Sequence, residues 1–437
     1  MSESTATSPN EAKPINPVFL AQAESLCRGG ELLPGGVEAL AKRLQQAAET
    51  QTPLKVKLGL DPTRPDLHLG HSVVLKKLRA FQDLGHQAIL IIGDATAMIG
   101  DPSGRSVTRP PLTEAEVQAN AETYLDQAGK IVDVRKAKII RNSDWFNQMN
   151  LDGFLKLAAK ATVAQLLVRE DFSKRYSENK PISLHELFYP LMQGYDSVEI
   201  EADIELGGTD QRFNNLMGRE LQAAYGQPEN RSGALQMVLL MPLLEGTDGK
   251  IKMSKSYPEH CINLTDSPDE MFGKLMSIPD EMIPRYELLM GLLTQEQIDE
   301  QLFHMKNGSL NPRDIKAMLA KFIVGQYHTP ADGETAEQNF TKQFKNKEVP
   351  EDIPETTLSA NQPHALIGLI VEHQLAPSRN EARRILEGGG VKLHSATGGA
   401  DGSIEKVSDV NAEVNKAGGT TLVLQVGKRK YLRLIFA

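Results

Sequence analysis

Apolar residues recur at two different spacings along the first half of the chain, and the alternation predicts its elements. Residues 54–60 read as a short strand, Asp61-Pro62 and Arg64-Pro65 can only turn, and Val74, Leu75, Leu78 and Phe81 repeat at helical spacing before Gly85. Residues 88–92 are continuously apolar and end at Gly93-Asp94, as expected of a strand buried on both faces of a parallel sheet. Ahead of them, residues 21–48 carry helical patterning broken at Gly29-Gly30 and Pro34-Gly35-Gly36, with a second helix starting near Val37. Repeated strand-helix alternation predicts an α/β, Rossmann-like, doubly wound parallel sheet.

Further along, residues 113–128 and 151–168 are helical in pattern, and Lys138-Ile139-Ile140 is a short strand between them, so 111–180 reads as a helical insertion in the core. In the helix over 184–196, Tyr189, Gln193 and Asp196 stand at i, i+4 and i+7 on one face, while Leu187, Phe188 and Leu191 take the other. Such a polar trio faces either water or a pocket, and in a pocket it offers a carboxylate and an amide to an amino acid. Gly207-Gly208 ahead of Asp210 allows a close backbone approach to a ribose, and 234–244 is a buried strand. Helices follow over 269–277, 284–293, 294–305 and 312–327, then charged, proline-containing residues, then two short helices over 365–387 with Ser378 as N-cap. Val391-Lys392-Leu393 and a hairpin of 421–426 with 430–436 close the chain. The expected organisation is a leader and helix (1–34), a catalytic domain (35–256), an α-helical domain (257–343), a linker (344–364) and a small α+β domain (365–437).

Composition narrows the setting. With 437 residues, 40% hydrophobic and 24% charged, the chain can bury a large core. Its cysteines, Cys27 and Cys261, are too few for a disulfide framework or a zinc cluster, which points to a cytoplasmic protein without a resident metal. No apolar run is long enough for a membrane helix, and the polar residues 1–14 lack the pattern of a secretory signal. The net charge of −9 hides an asymmetry: residues 365–437 hold ten Lys or Arg against seven Asp or Glu, a net of +3 that leaves −12 for the rest. Any contact with a polyanion is therefore local.

Two stretches carry the candidate chemistry. His68 and His71 lie three apart at the start of a helix, where ring N–H groups join the unpaired backbone amides in facing an anion, and Gly70 between them leaves bare backbone for a flat group such as a purine. Histidines at that spacing also occur as ordinary surface residues. The loop 246–256 sets Lys250, Lys252 and Lys255 among small residues, as required of a loop that closes over a polyphosphate, although a solvated basic loop has the same composition. Arg105 and Arg109 follow a Gly- and Pro-rich turn and are weaker candidates for phosphate contact.

His68-Leu69-Gly70-His71 and Lys252-Met253-Ser254-Lys255-Ser256 together resemble the two ATP-site motifs of class I aminoacyl-tRNA synthetases. Tyr189-x-x-x-Gln193-x-x-Asp196, Gly207-Gly208-Thr209-Asp210-Gln211, Gly100-Asp101-Pro102-Ser103-Gly104 and a tail similar to the S4 RNA-binding module narrow the resemblance to the bacterial tyrosyl-tRNA synthetases, over about 35–437. The resemblance implies ATP with Mg2+ as a substrate complex, L-tyrosine and tRNA(Tyr) as further substrates, and a homodimer with no membrane contact. It places Thr63, His68, Lys252 and Lys255 at the reacting phosphates, with His71, also counted as catalytic, nearer the nucleotide, and Gly59, Asp61, Gly70, Gly208, Asp210, Met253 and Ser254 around ATP. Asp101, Tyr189, Gln193, Asp196 and Gln211 would bind tyrosine, with Asp196 taking the phenol, and Arg379, Arg383 and Arg384 would meet RNA. One departure concerns specificity: Lys57 stands where many of these enzymes have a second tyrosine for the substrate hydroxyl, and Arg212 and Val74 are smaller departures. A tryptophanyl enzyme and a non-catalytic RNA-binding scaffold are the rival readings.

Overall fold

The structure, a computed structural model, describes residues 14–100, 113–227, 234–254, 257–345, 353–395, 404–427 and 430–437. These divide into two compact units, 1–336 and 337–437. The expected leader, and Asp101, Arg105, Arg109 and Lys255, lie wholly or partly outside the described residues.

The first unit is built on strands β1 (Glu31–Leu33), β2 (Lys55–Leu60), β3 (Gln87–Ile92), β4 (Lys138–Arg141), β5 (Ile204–Gly208) and β6 (Met237–Met241). They form one sheet in the order β1-β6-β5-β2-β3-β4. All neighbours are parallel except β1, which pairs antiparallel with β6. From β2 the chain moves outward through β3 to β4, then returns to the other side of β2 for β5 and β6. Because parallel crossovers are right-handed, two that run in opposite directions from the middle of the sheet put the helices Leu69–Asp83 and Arg212–Ala224 on opposite faces, the doubly wound arrangement the alternation predicts. The direction reverses between β2 and β5, so the crevice for a ligand opens beyond Leu60 and Gly208.

Local sequence fixes the elements that line this crevice. The Leu69–Asp83 helix buries Leu69, Val73, Leu75, Leu78 and Phe81, and Gly85 at φ +84° follows its end. The Leu184–Glu199 helix starts with a capping box, in which the Ser183 hydroxyl and the Glu186 carboxylate each take a backbone N–H of the other residue. Leu191 and Val198 of this helix pack on Met217 and Leu221, which fixes the azimuth of its polar face.

Several expectations need correction. Glu31–Leu33, read as part of a helix-to-helix break, is the edge strand of the sheet. Lys138–Arg141 is no part of an insertion; it is a sheet strand, with Ile139 opposite Leu90. Residues 151–168 form two helices, Leu151–Ala158 and Val163–Leu167, because Thr162 and Gln165 cap a new start. The helices Pro268–Met276, Ile283–Met290, Gln295–Lys306 and Pro312–Tyr327 are not a separate body. Lys76 of the Leu69–Asp83 helix donates to the Met290 carbonyl at 2.7 Å and to Gln326, joining them to the sheet.

The second unit contains β7 (Glu355–Leu358), β8 (His364–Ala365), β9 (Val391–Ser395), β10 (Ile404–Val407), β11 (Glu413–Val414), β12 (Thr421–Val426) and β13 (Lys430–Phe436). Five of them form a sheet in the order β10-β9-β12-β13-β7, and β8 pairs with β11. Helices Leu366–Glu372 and Arg379–Glu387 bury Leu366, Ile370 and Leu386 against Leu424, Leu432 and Leu434. Residues 355–364, expected as linker, thus belong to this unit. No helix among the described residues is long and apolar enough to cross a membrane.

Candidate active site

At the mouth of the crevice the Leu69–Asp83 helix presents its N-terminus. His68 is the N-cap in extended conformation, and its backbone N–H donates to Nδ1 of His71 at 3.2 Å. With Nδ1 accepting, the neutral His71 ring carries its proton on Nε2. The two rings lie 3.9 Å apart between centroids. Gly70 leaves little room beside them: a Cβ there would stand 3.0 Å from the His68 ring, and 3.9 Å from Cβ of Met253.

That last distance brings the two motifs together. Met253 is buried and donates its N–H to the Leu244 carbonyl at 2.8 Å. Beside it Lys252 forms an ion pair with Asp210, which follows β5 on the other side of the crevice. Beyond the loop the chain runs back along the histidine segment, with Leu69 N–H donating to Ile262 O at 3.0 Å and Leu264 N–H to Leu67 O at 2.9 Å. Gly59 is exposed near the end of β2, and in the turn that follows the Thr63 N–H donates to the Asp61 carbonyl at 2.8 Å. Gly208 and Ser254 are half-buried.

Deeper in, a second constellation surrounds the polar face of the Leu184–Glu199 helix. Tyr189 Oη donates to Asp61 Oδ2 at 2.7 Å, and Thr96 Oγ1 donates to Asp61 Oδ1 at 2.9 Å. Gly93 permits this approach, since a Cβ there would fall 2.0 Å from Asp61 Oδ1. Asp61, expected at ATP, is therefore tied to Tyr189 of the polar trio. Asp196 accepts from the Trp145 indole at 3.2 Å and from the Asn142 amide at 3.5 Å. Burial pushes the Asp196 carboxyl up to about 8, against the opposing pull of the Lys57 ammonium and the Asn142 bond, while the negative charges of Glu205 and Asp61 add to the rise.

Gln193 is engaged at both ends of its amide. Its nitrogen donates to Asn215 at 2.9 Å and Glu205 at 3.3 Å, and its oxygen accepts from Asn214 at 2.8 Å. Asn214 also reaches Gln211 at 2.9 Å. Sequence reasoning missed Thr96, Asn142, Trp145, Asn214 and Asn215. A signal existed for two of them: Asn142-Ser143-Asp144-Trp145 directly follows a strand, at the carboxyl edge where α/β sheets bind ligands, and holds the chain's one tryptophan. Arg379, Arg383 and Arg384 lie exposed on the Arg379–Glu387 helix of the second unit, Arg384 at 3.4 Å from Glu381.

The family model described as tRNA synthetases class I (W and Y) matches residues 49–345. A tyrosine–tRNA ligase of Moorella thermoacetica is 49% identical over 414 residues, 94% of this chain and 95% of that protein. One of Carboxydothermus hydrogenoformans is 47% identical over 420 residues, 95% of this chain and 98% of its own. Among solved structures, a tyrosyl-tRNA synthetase of Archaeoglobus fulgidus complexed with L-tyrosine shares the fold with a TM-score of 0.57 at 22% identity, covering 73% of this chain and 99% of that one.

Proposed function

The chain belongs to the class I tRNA synthetases of the tryptophan and tyrosine group and, within it, to the bacterial tyrosine–tRNA ligases, and from that membership we propose how its residues divide the work. A tyrosine–tRNA ligase joins tyrosine to ATP, giving tyrosyl-adenylate and pyrophosphate, and passes the tyrosyl group to the 3′ end of tRNA(Tyr). In the first step a carboxylate oxygen of tyrosine attacks the α-phosphorus, and the bond from that phosphorus to the pyrophosphate oxygen breaks, the leaving group taking the electron pair. The carboxylate is already a nucleophile, so no general base is needed. The difficulty is the charge that grows on the phosphates.

His68, His71, Thr63, Lys252 and Lys255 are the donors we assign to that charge, with Mg2+ arriving on ATP as part of the substrate. The convergence of His68, Gly70 and Met253 at the switch point carries this reading. Fixed donors of this kind each contribute about a hundredfold or more to the rate. For Asp210 to take the ribose, Lys252 exchanges its carboxylate partner for phosphate. Asp196 receives the substrate phenol, and Tyr189, Gln193 and Asp101 surround the ammonium, with Gln211 toward the reacting carboxylate. Phenylalanine would leave Asp196 desolvated without its partner, a form of discrimination for which tyrosyl-tRNA synthetases are themselves the standard example.

The second unit, through Arg379, Arg383 and Arg384, and the helices of 257–343 would hold the tRNA, and two chains would pair through the exposed apolar residues of 151–184, all in the cytoplasm. Amino-acid-dependent ATP–pyrophosphate exchange tests the reading. Exchange should occur with tyrosine and not with tryptophan or phenylalanine; tryptophan-dependent exchange would reassign the substrate, and none with any amino acid would leave a non-catalytic scaffold.

A further inference from the structure

Lys57 has a position without precedent in the sequence patterns around it. On β2 its side chain alternates with those of Val56 and Leu58, and it projects beneath the Leu184–Glu199 helix with 0% of its surface exposed. An isolated ammonium there would be prohibitive, so its partners decide what it does. It has three, one for each proton: the Gln193 carbonyl at 2.8 Å, Ser197 Oγ at 2.8 Å and Glu205 Oε1 at 3.0 Å. Glu205 lies directly opposite Lys57 in the β2–β5 register and is itself 1% exposed.

The carboxylate is as fully engaged as the ammonium. Besides Lys57 it accepts from Ser197 at 3.1 Å, from the Gln193 amide at 3.3 Å and from Gln236 at 2.7 Å. Complete hydrogen bonding is the condition under which a buried ion pair can persist without a large desolvation penalty. Two consequences follow. Lys57 has no proton left for a substrate hydroxyl unless it gives up a protein partner. Its acceptors at Gln193 and Ser197 belong to one helical turn, and that turn carries the side chains of Gln193 and Asp196.

We propose that Lys57, paired with Glu205, is a positioning residue for amino-acid selection, which holds the Gln193–Ser197 turn from beneath and leaves the substrate phenol to Asp196 and not to itself. The inference rests on the reading of this site as the tyrosine site. The Lys57 charge also acts on Asp196 directly, as one of the influences that lower its proton affinity.

Lys57→Met alone would strand the Glu205 charge in the core, so the test uses Lys57→Met with Glu205→Gln, which removes both charges together. In tyrosine-dependent pyrophosphate exchange this variant should raise the KM for tyrosine on the order of tenfold or more while the KM for ATP stays within about twofold, because displacement of a binding turn by a fraction of an ångström acts on the group it positions. Ser197→Ala, which keeps the charges paired and removes one anchor, should move the tyrosine KM in the same direction by a smaller factor. A merely structural role would move both KM values together or act only on thermal stability. Folded protein of either variant with the wild-type tyrosine KM, or with both KM values rising in step, overturns the proposal. Absence of tyrosine-dependent exchange in the wild type would overturn it along with the functional reading, and is distinguished by being seen before any substitution.

Discussion

Asp196 shows how one residue can hold a site's chemistry and its stability in opposition. Its carboxyl is 3% exposed, and burial is the largest cause of its pKa of about 8. The sign of the effect on folding follows. In the unfolded chain the group ionises at the ordinary carboxylate pH, whereas the folded protein keeps the proton up to about 8, so unfolding releases a proton throughout the interval between. Raising the pH across that interval therefore favours the unfolded chain, by up to about 1.4 kcal/mol per pH unit. Asp196→Asn should abolish this term: in denaturant titrations from pH 5 to pH 8, wild-type stability is expected to fall relative to the variant, and parallel curves would contradict the assignment. The place of Asp196 on a polar helix face was readable from its spacing to Tyr189 and Gln193. Its partners were not, because Asn142 and Trp145 approach it only after β4 docks beside β3. Lys57 was noticed only as a departure, since nothing in a strand's own pattern reveals a cross-strand glutamate.

Elements with strong internal periodicity were legible from the sequence almost to the residue. The Pro312–Tyr327 helix, β12 and β13 have the bounds their patterns predict, because each carries its own stop signals and a regular apolar stripe. Elements defined by a partner were lost. β1 has three residues and exists by pairing with β6, and β10 is charged at Glu405 and Lys406. The Pro330–Lys345 helix has too polar a sequence to announce itself. Residues 151–184 carry a different message, since Leu151, Leu155, Val163, Val168, Tyr176 and Leu184 are all more than half exposed. A monomer rarely leaves so many large apolar groups in water over so short a stretch, and a second copy is the occupant proposed for them. Sedimentation equilibrium should give a dimer for the wild type at micromolar concentration and a monomer for Leu155→Asp with Val168→Asp, whose buried charges would cost several kcal/mol in an interface. A wild-type monomer would remove the pairing proposal and leave the site residues as they are.

At the scale of the whole molecule, two units with separate cores permit two separable steps. The second has its own sheet and a cluster that includes Ile370, Leu424, Leu432 and Leu434, while the histidine helix, the lysine loop and the trio of Tyr189, Gln193 and Asp196 all belong to the first. The surplus of positive charge in 365–437, against a chain of net −9, puts the attraction for a polyanion at that end. Truncation after Lys345 should therefore leave tyrosine-dependent pyrophosphate exchange within about twofold of wild type, because no group assigned to adenylate formation is removed, and should depress tRNA charging on the order of a hundredfold through lost phosphate contacts. Salt supplies the independent check. Charging by the full chain should weaken as ionic strength rises, and exchange, which involves no tRNA, should show little of that slope. Were exchange and charging lost together on truncation, the two units would act as one catalytic body and the separation of activation from tRNA capture would fail, whatever the identity of the amino acid.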